Sequence, residues 1–177
     1  MRYRYYPTVI LMSLILFFTS CKKDENGYWG TVSAQKNGVQ FEGEIKAVKT
    51  SFAQSKATII IKNFDSAGIP LETLGFVKIP LGVGKYKLSY TFDQPPDDSL
   101  KGCIYNNGYD DQVYDSFLLS QTDSTSFLEI TEYNEGNGEL RGKFNLILWP
   151  EPGIPGSWNA PDSLVFSDGV FHTRLNN

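Results

Sequence analysis

The side chains that could do nucleophilic or metal chemistry are few in this chain: two cysteines, Cys21 and Cys103, and one histidine, His172. A Ser-His-Asp hydrolase would need His172 as its base, and no Gly-x-Ser-x-Gly motif accompanies it. Zinc sites usually take several His or Cys ligands, so this set does not predict one. We therefore expect no catalytic residue, no metal and no cofactor, with His172 exposed on a strand and Cys103 buried and inert.

Five aspartates flank an irregular segment at 93–111, which is rich in Pro, Asn and Gly. Calcium takes six to eight oxygen ligands, so these acids offer a calcium site as an alternative to simple solvation. The Asp-x-Asp-x-Asp-Gly pattern of calcium loops is absent, which favours solvated loop acids. Two carboxylates at a suitable separation would also suit a glycoside hydrolase, but sequence alone does not show such a pair. The aspartates are Asp97, Asp98, Asp110, Asp111 and Asp115.

A proline-rich segment, WPEPGIPGSWNAPD at 149–162, carries two of the three tryptophans. Exposed Trp and Tyr side chains form flat apolar platforms that suit a glycan or a partner protein. The segment is therefore a candidate ligand rim together with tyrosines from the irregular region. Alternatively, it folds back and its tryptophans cap the end of the domain, which is the interpretation we favour. The rim residues are Trp149, Trp158, Tyr105, Tyr109 and Tyr114.

The first 20 residues have the order of a targeting segment. Arg2 and Arg4 give a positive start, and residues 8–18 (TVILMSLILFF) form an apolar block. Eleven residues are too few to span a bilayer, which needs about 20, but they suit the apolar region of a signal peptide. Cleavage before Cys21 would place bulky Phe18 at the third position upstream, where an ordinary signal peptidase requires a small residue.

Residues 18–21, FTSC, resemble a lipobox with Phe18 in the usual leucine position. The resemblance implies a lipoprotein signal peptide at 1–20 and a diacylglycerol on the Cys21 sulfur, usually with a third acyl chain such as palmitate on the new N-terminus. Two or three chains anchor a protein firmly to a membrane. The alternatives are that Cys21 follows an ordinary signal peptide or pairs with Cys103.

The next residues, KKDEN, resemble the export signals of surface lipoproteins in Bacteroidota-type bacteria. The resemblance implies display on the outer face of the outer membrane, with a periplasmic location as the alternative. A solvated tether would have a similar composition. The signal residues are Lys22, Lys23, Asp24 and Glu25.

The remainder of the chain reads as strands and turns. Alternating segments predict one antiparallel β-sandwich or barrel-like domain at 29–177, after a tether at 21–28. Asn37-Gly38 and Asp168-Gly169 predict two-residue hairpin turns, and 112–120 is a strand or one helical turn. The predicted strand segments are 31–48 (a hairpin), 56–64, 72–79, 85–92, 102–105, 112–120, 126–133, 139–148 and 163–175.

The C-terminal hairpins from 127 to 175 also resemble those of small Bacteroidota-type lipoproteins of unknown function, which implies the fold and no catalytic residue. Without residues 1–20, which contain two arginines and no acid, the net charge changes from −4 to −6. This acidity excludes nucleic acid as an expected partner. We predict a non-catalytic binding or structural lipoprotein of the outer membrane. The alternatives are a glycan-binding accessory protein of a nutrient-uptake system and an envelope hydrolase with paired carboxylates.

Lipidation of Cys21 is directly testable. Wild-type protein extracted from membranes should carry the mass of the acyl groups, and the C21S variant should lack that mass and leave the membrane fraction, because no other sulfur is available at the mature N-terminus. Intact-mass spectrometry makes the measurement. An unacylated Cys21 in membrane-extracted wild-type protein would contradict the prediction.

Overall fold

The fold was analysed in a computed structural model that describes residues 27–50, 53–90, 100–110, 112–120, 122–154 and 156–176. Within these ranges the chain forms ten β-strands and no helix, which confirms the predicted all-β fold class, and so contains no helix that could cross a membrane. The predicted signal peptide, Cys21, the export residues Lys22 to Glu25, and Asp97, Asp98 and Asp111 lie outside them. The strands are β1 (Gly30–Lys36), β2 (Val39–Thr50), β3 (Ala53–Phe64), β4 (Pro70–Pro80), β5 (Gly84–Lys87), β6 (Gly102–Tyr109), β7 (Gln112–Leu119), β8 (Phe127–Asn134), β9 (Glu139–Pro150) and β10 (Leu164–Asn176).

The strands belong to one sheet whose pairings close into a ring. Following the hydrogen-bonded neighbours, β2, β3, β4, β6, β7, β9 and β10 succeed one another, and β1 pairs with both β10 and β2. The last residues of β10 extend past the start of β1. There they pair directly with β2 in parallel, with Leu175 opposite Ala47. A ring of this kind leaves few unpaired strand edges.

One edge of β9 pairs with β10, and its other edge pairs with two different strands. Its first half pairs with β8, and its last three residues pair with β7. Strand β5 adds to β8, and Ser89 then forms a parallel bridge with Gly102 at the start of β6. The strand predicted at 85–92 is therefore shorter than expected, because β5 ends at Lys87.

Alternation of apolar and polar side chains produces the core. In β9, Leu140, Phe144, Leu146 and Leu148 are buried, while Arg141, Lys143 and Asn145 are exposed, as the sequence predicted. Successive strand residues point to opposite faces, so this pattern directs the apolar face of β9 toward the interior of the ring. Large aromatic side chains fill the interior. They include Phe76, Phe117, Phe144 and Phe166.

The predicted hairpin turn at Asp168-Gly169 is wrong: β10 runs through both residues without reversing. Between Phe166 and Gly169, β10 advances three residues while β9 advances two, which marks a β-bulge. Asp168 supports it with a φ of 54°, a left-handed conformation that Asp tolerates. The extra residue lets Phe166 and Phe171, five positions apart, both point inward. The turn-like dipeptide in the sequence thus signalled a bulge.

Two glycines make room for two phenylalanines across the β9–β10 pair. Phe144 lies opposite Gly169, and Phe171 lies opposite Gly142. A Cβ atom on Gly169 would come within 2.6 Å of the Phe144 ring, so the ring occupies the space that a side chain would fill. Such aromatic–glycine pairs help to fix strand register.

The G169A variant tests this packing. The added methyl would collide with the Phe144 ring, and overpacking of this kind costs about 1–3 kcal/mol of unfolding free energy. The matched control is G75A, since a Cβ on Gly75 would make only an ordinary 3.5 Å contact with Ile104. Denaturant unfolding of both variants makes the measurement. Equal stabilities would contradict the packing described here.

Candidate functional site

One end of the ring is crossed by the long loop between β9 and β10, residues 151–163. We call this the loop end; the β1–β2, β3–β4 and β6–β7 connections also lie there. At the opposite end, Gly27 enters the domain and its carbonyl accepts a hydrogen bond from the Asn176 side chain. Gly27 therefore lies at one end of the ring, and the proline-rich loop lies at the other.

A buried carboxylate holds the loop in place. Asp115 of β7 is only 4% exposed, and it lies two positions before Phe117, on the same inward face. Its Oδ1 accepts a hydrogen bond from the Ser157 backbone N–H at 2.6 Å, and its Oδ2 accepts one from the Ser157 hydroxyl at 3.1 Å. The Asn107 amide donates to Oδ2 at 3.2 Å. A buried charge needs such partners, so Asp115 serves as a fixed attachment for the loop.

The start of the loop is also attached to β7. The Glu151 backbone N–H donates to the Ser116 carbonyl, and the Ser116 hydroxyl donates to the Glu151 carboxylate at 2.6 Å. Farther along, Ala160 packs against the core, and its N–H donates to the Ser157 carbonyl at 3.0 Å, closing a tight turn. The loop thus covers this end of the ring through Ser157 and Ala160.

The tryptophans do not take part in that cover. Trp158 occupies the tip of the Ser157–Ala160 turn and is 93% exposed, and Trp149, on the outer face of β9, is 47% exposed. The favoured expectation that the tryptophans cap the domain is therefore wrong, although the loop backbone does fold back. The smaller residues on either side of Trp158 make the contacts instead.

The tyrosines of the predicted rim separate into two groups. Tyr109 and Tyr114, beside the β6–β7 turn, are exposed. Tyr105 is only 2% exposed, and its ring packs against Phe117 and Phe166 in the core. Tyr105 is therefore not a rim residue, and its placement in the rim is corrected here. It shares the inward face of β6 with Cys103, whereas the rim would require an outward position.

Trp149 borders a shallow groove of about 330 Å³ on the outside of the ring. This volume is at the lower end of the range of about 300–1,000 Å³ typical of small-molecule pockets. Its walls are mostly apolar, with one serine hydroxyl. The lining residues are Tyr90, Leu118, Leu119, Ser120, Trp149, Pro150 and Pro152.

An ion pair that sequence reasoning missed lies inside the loop end. The Lys36 ammonium contacts the Glu72 carboxylate and lies 5.5 Å from the centre of the Tyr105 ring. Burial raises the pKa of Tyr105 far above its ordinary value, and the negative charge of Glu72 raises it further, so the phenol remains neutral. Ring closure brings these residues together across the interior, because β1 pairs with β10 and β2 while Glu72 and Tyr105 lie on the paired strands β4 and β6, which no local motif could reveal.

His172 and Cys103 are both engaged in packing. The His172 ring contacts the Trp29 ring edge-on at 5.1 Å between centroids, and its Nε2 lies 3.7 Å from the Glu139 carboxylate. His172 is thus half-buried rather than exposed, because Trp29 precedes β1 and folds over the outer face. Cys103 is fully buried as predicted, and burial raises the pKa of its thiol well above the usual value.

The acidic cluster is only partly described. Asp115 has its carboxylate occupied by Ser157 and Asn107, and Asp110 is exposed in a turn. Among the residues that the structure describes, no three or more His, Cys, Asp or Glu side chains gather closely enough to hold a metal ion. A calcium site that used Asp97, Asp98 or Asp111 stays a prediction.

Comparison of the chain with models of protein families, with curated proteins and with solved structures found no match to any of them. The arrangement of the loop end therefore has to be interpreted from its own geometry. That geometry consists of a firmly attached loop, an exposed tryptophan at its tip and a second tryptophan beside a small groove.

Removal of the Asp115 carboxylate should release the loop. The D115A variant loses three hydrogen bonds and leaves their donors without an acceptor, which should lower the unfolding free energy by about 1–3 kcal/mol. Amide hydrogen exchange at Ser157 and Ala160 should accelerate together with this loss.

The control is D162A, which removes an exposed acid from the same loop and should change stability by less than about 0.5 kcal/mol. Unchanged exchange at Ser157 in D115A would contradict the attachment.

Proposed function

We propose that this protein is an outer-membrane lipoprotein that acts as a non-catalytic binding module, held to the membrane through Cys21 and displayed at the cell surface. The lipobox-like FTSC supports attachment to the membrane, and the following KKDE supports display at the cell surface. The engagement of His172 and Cys103 in packing supports a role without catalysis. The distribution of exposed apolar side chains carries the binding role.

Among the residues that the structure describes, most of the large exposed apolar side chains belong to the loop end or the adjoining wall. Monomeric proteins rarely gather such side chains without a function, and they commonly mark an interaction site. Val83 and Val170 are exposed elsewhere. Those near the loop end are Val39, Tyr109, Val113, Tyr114, Trp149, Ile154, Trp158 and Val165.

The position of the tether supports outward presentation of this end. The six residue-to-residue steps from Cys21 to Gly27 can extend at most about 22 Å. A twelve-residue strand such as β3 is about 36 Å long before tilt. A lipid on Cys21 would therefore keep the Gly27 end close to the membrane and the loop end farther away.

Surface display can be tested with a cysteine placed beside Trp158. The N159C variant, produced with its signal peptide in a Bacteroidota host, should react on intact cells with a membrane-impermeant maleimide, because residue 159 is exposed while Cys103 is buried. Wild-type protein is the control for unintended labelling. The double variant N159C/C21S should lose its association with the cells.

Labelling of N159C only after the outer membrane is permeabilised would overturn surface display. Labelling of the double variant on intact cells at the level of N159C would overturn anchoring through Cys21. In either case, the folded domain and its loop end could still be studied separately.

A further inference from the structure

We infer that the loop end binds an uncharged polysaccharide, with Trp149 and Trp158 as stacking platforms for its sugar rings. This inference rests on the proposed binding function and names its ligand class. Sugar rings present apolar C–H faces that pack on aromatic rings, and hydroxyl edges that hydrogen-bond to carboxylate and hydroxyl oxygens. Both kinds of protein group occur at this end.

The loop backbone that carries Trp158 is held in a fixed position. A tryptophan that is 93% exposed gains almost nothing from burial, yet the Ser157 backbone beside it is hydrogen-bonded to a buried carboxylate. Ala160, two residues later, packs on the core. Because the loop backbone is already held in place, it loses little conformational entropy when Trp158 binds a ligand, which favours affinity.

The groove beside Trp149 offers a second contact of the right kind. Its apolar walls include Tyr90, Leu118 and Pro152, and the Ser120 hydroxyl adds a polar group. A volume of about 330 Å³ lies within the range of small-molecule pockets and leaves room for a small cyclic unit such as a sugar ring. A polysaccharide can occupy such a groove and extend beyond it.

Charge selects among polysaccharides. The sequence has no Lys or Arg from Gly102 to Leu140 or from Phe144 to Thr173, the segments that supply both tryptophans and the loop. The same segments place exposed Asp110 and Asp162 at the loop end. Two lysines also lie toward this end: Lys36 is paired with Glu72, and Lys62 is on β3, which β4 and β6 separate from β7. A sulfated or uronic-acid glycan, or an anionic lipid surface, would meet unfavourable charge there.

The test uses purified residues 21–177 with the C21S substitution, so that no lipid is needed. Affinity gel electrophoresis is run with the uncharged polysaccharides hydroxyethylcellulose, xyloglucan, galactomannan, arabinoxylan and pullulan, and with polygalacturonate and chondroitin sulfate. At least one uncharged polysaccharide should retard the protein, and the two anionic ones should not.

The variants W149A and W158A should each weaken the retarding interaction at least tenfold, while W158F should retain most of it. The control V83A removes an exposed apolar side chain away from the loop end and should change nothing. Thermal melting verifies that W158A folds, which its full exposure predicts.

Three results would overturn the inference. They are retardation by the anionic polysaccharides alone, binding by W149A and W158A that equals wild-type binding, and no retardation by any uncharged polysaccharide. Capture of an envelope protein through Trp158 without glycan binding would also overturn it. These results leave the proposed anchoring and surface display standing, because the surface labelling of N159C tests them independently.

Discussion

Closure of the ring through β10 is the constraint on which the rest of the structure depends. This strand pairs with β9 on one edge and with β1 and then β2 on the other. It must present apolar side chains to the interior along its whole length. Phe166 and Phe171 are five positions apart, so a regular strand would direct them to opposite faces. The bulge at Asp168 solves this conflict, and the glycines opposite Phe144 and Phe171 allow the two large rings to fit beside each other.

The loop end is a consequence of that closed frame. Because β6 and β7 are neighbours in the ring, Asn107 and Asp115 lie side by side, and the carboxylate is directed to where the β9–β10 loop crosses. Burial of Asp115 would be unfavourable without Ser157, so the loop and the strand depend on each other. The result is a fixed turn that keeps Trp158 in solvent, at the end remote from Gly27.

The sequence predicted what depends on neighbouring residues. Alternation in β9 identified its inward face, and Asn37-Gly38 identified the first hairpin. The sequence-based prediction failed where one dipeptide fits two local structures. Asp168-Gly169 suits a hairpin turn and a β-bulge alike, since both need a residue in the left-handed conformation. It also placed Tyr105 in the rim, because the inward face of β6 depends on pairing with β4 and β7, and it missed that Trp29 covers His172.

In the binding mode that we infer, the ligand contacts the loop end and not the end at which Gly27 enters the domain. The three tryptophans of the chain, Trp29, Trp149 and Trp158, report on this directly, because Trp29 lies beside His172 and Arg174 at the Gly27 end. Two-dimensional NMR resolves three indole N–H signals during titration with an oligosaccharide of the uncharged polysaccharide that binds. We predict that the Trp149 and Trp158 signals shift and that the Trp29 signal stays. A shift of Trp29 alone would contradict this binding mode.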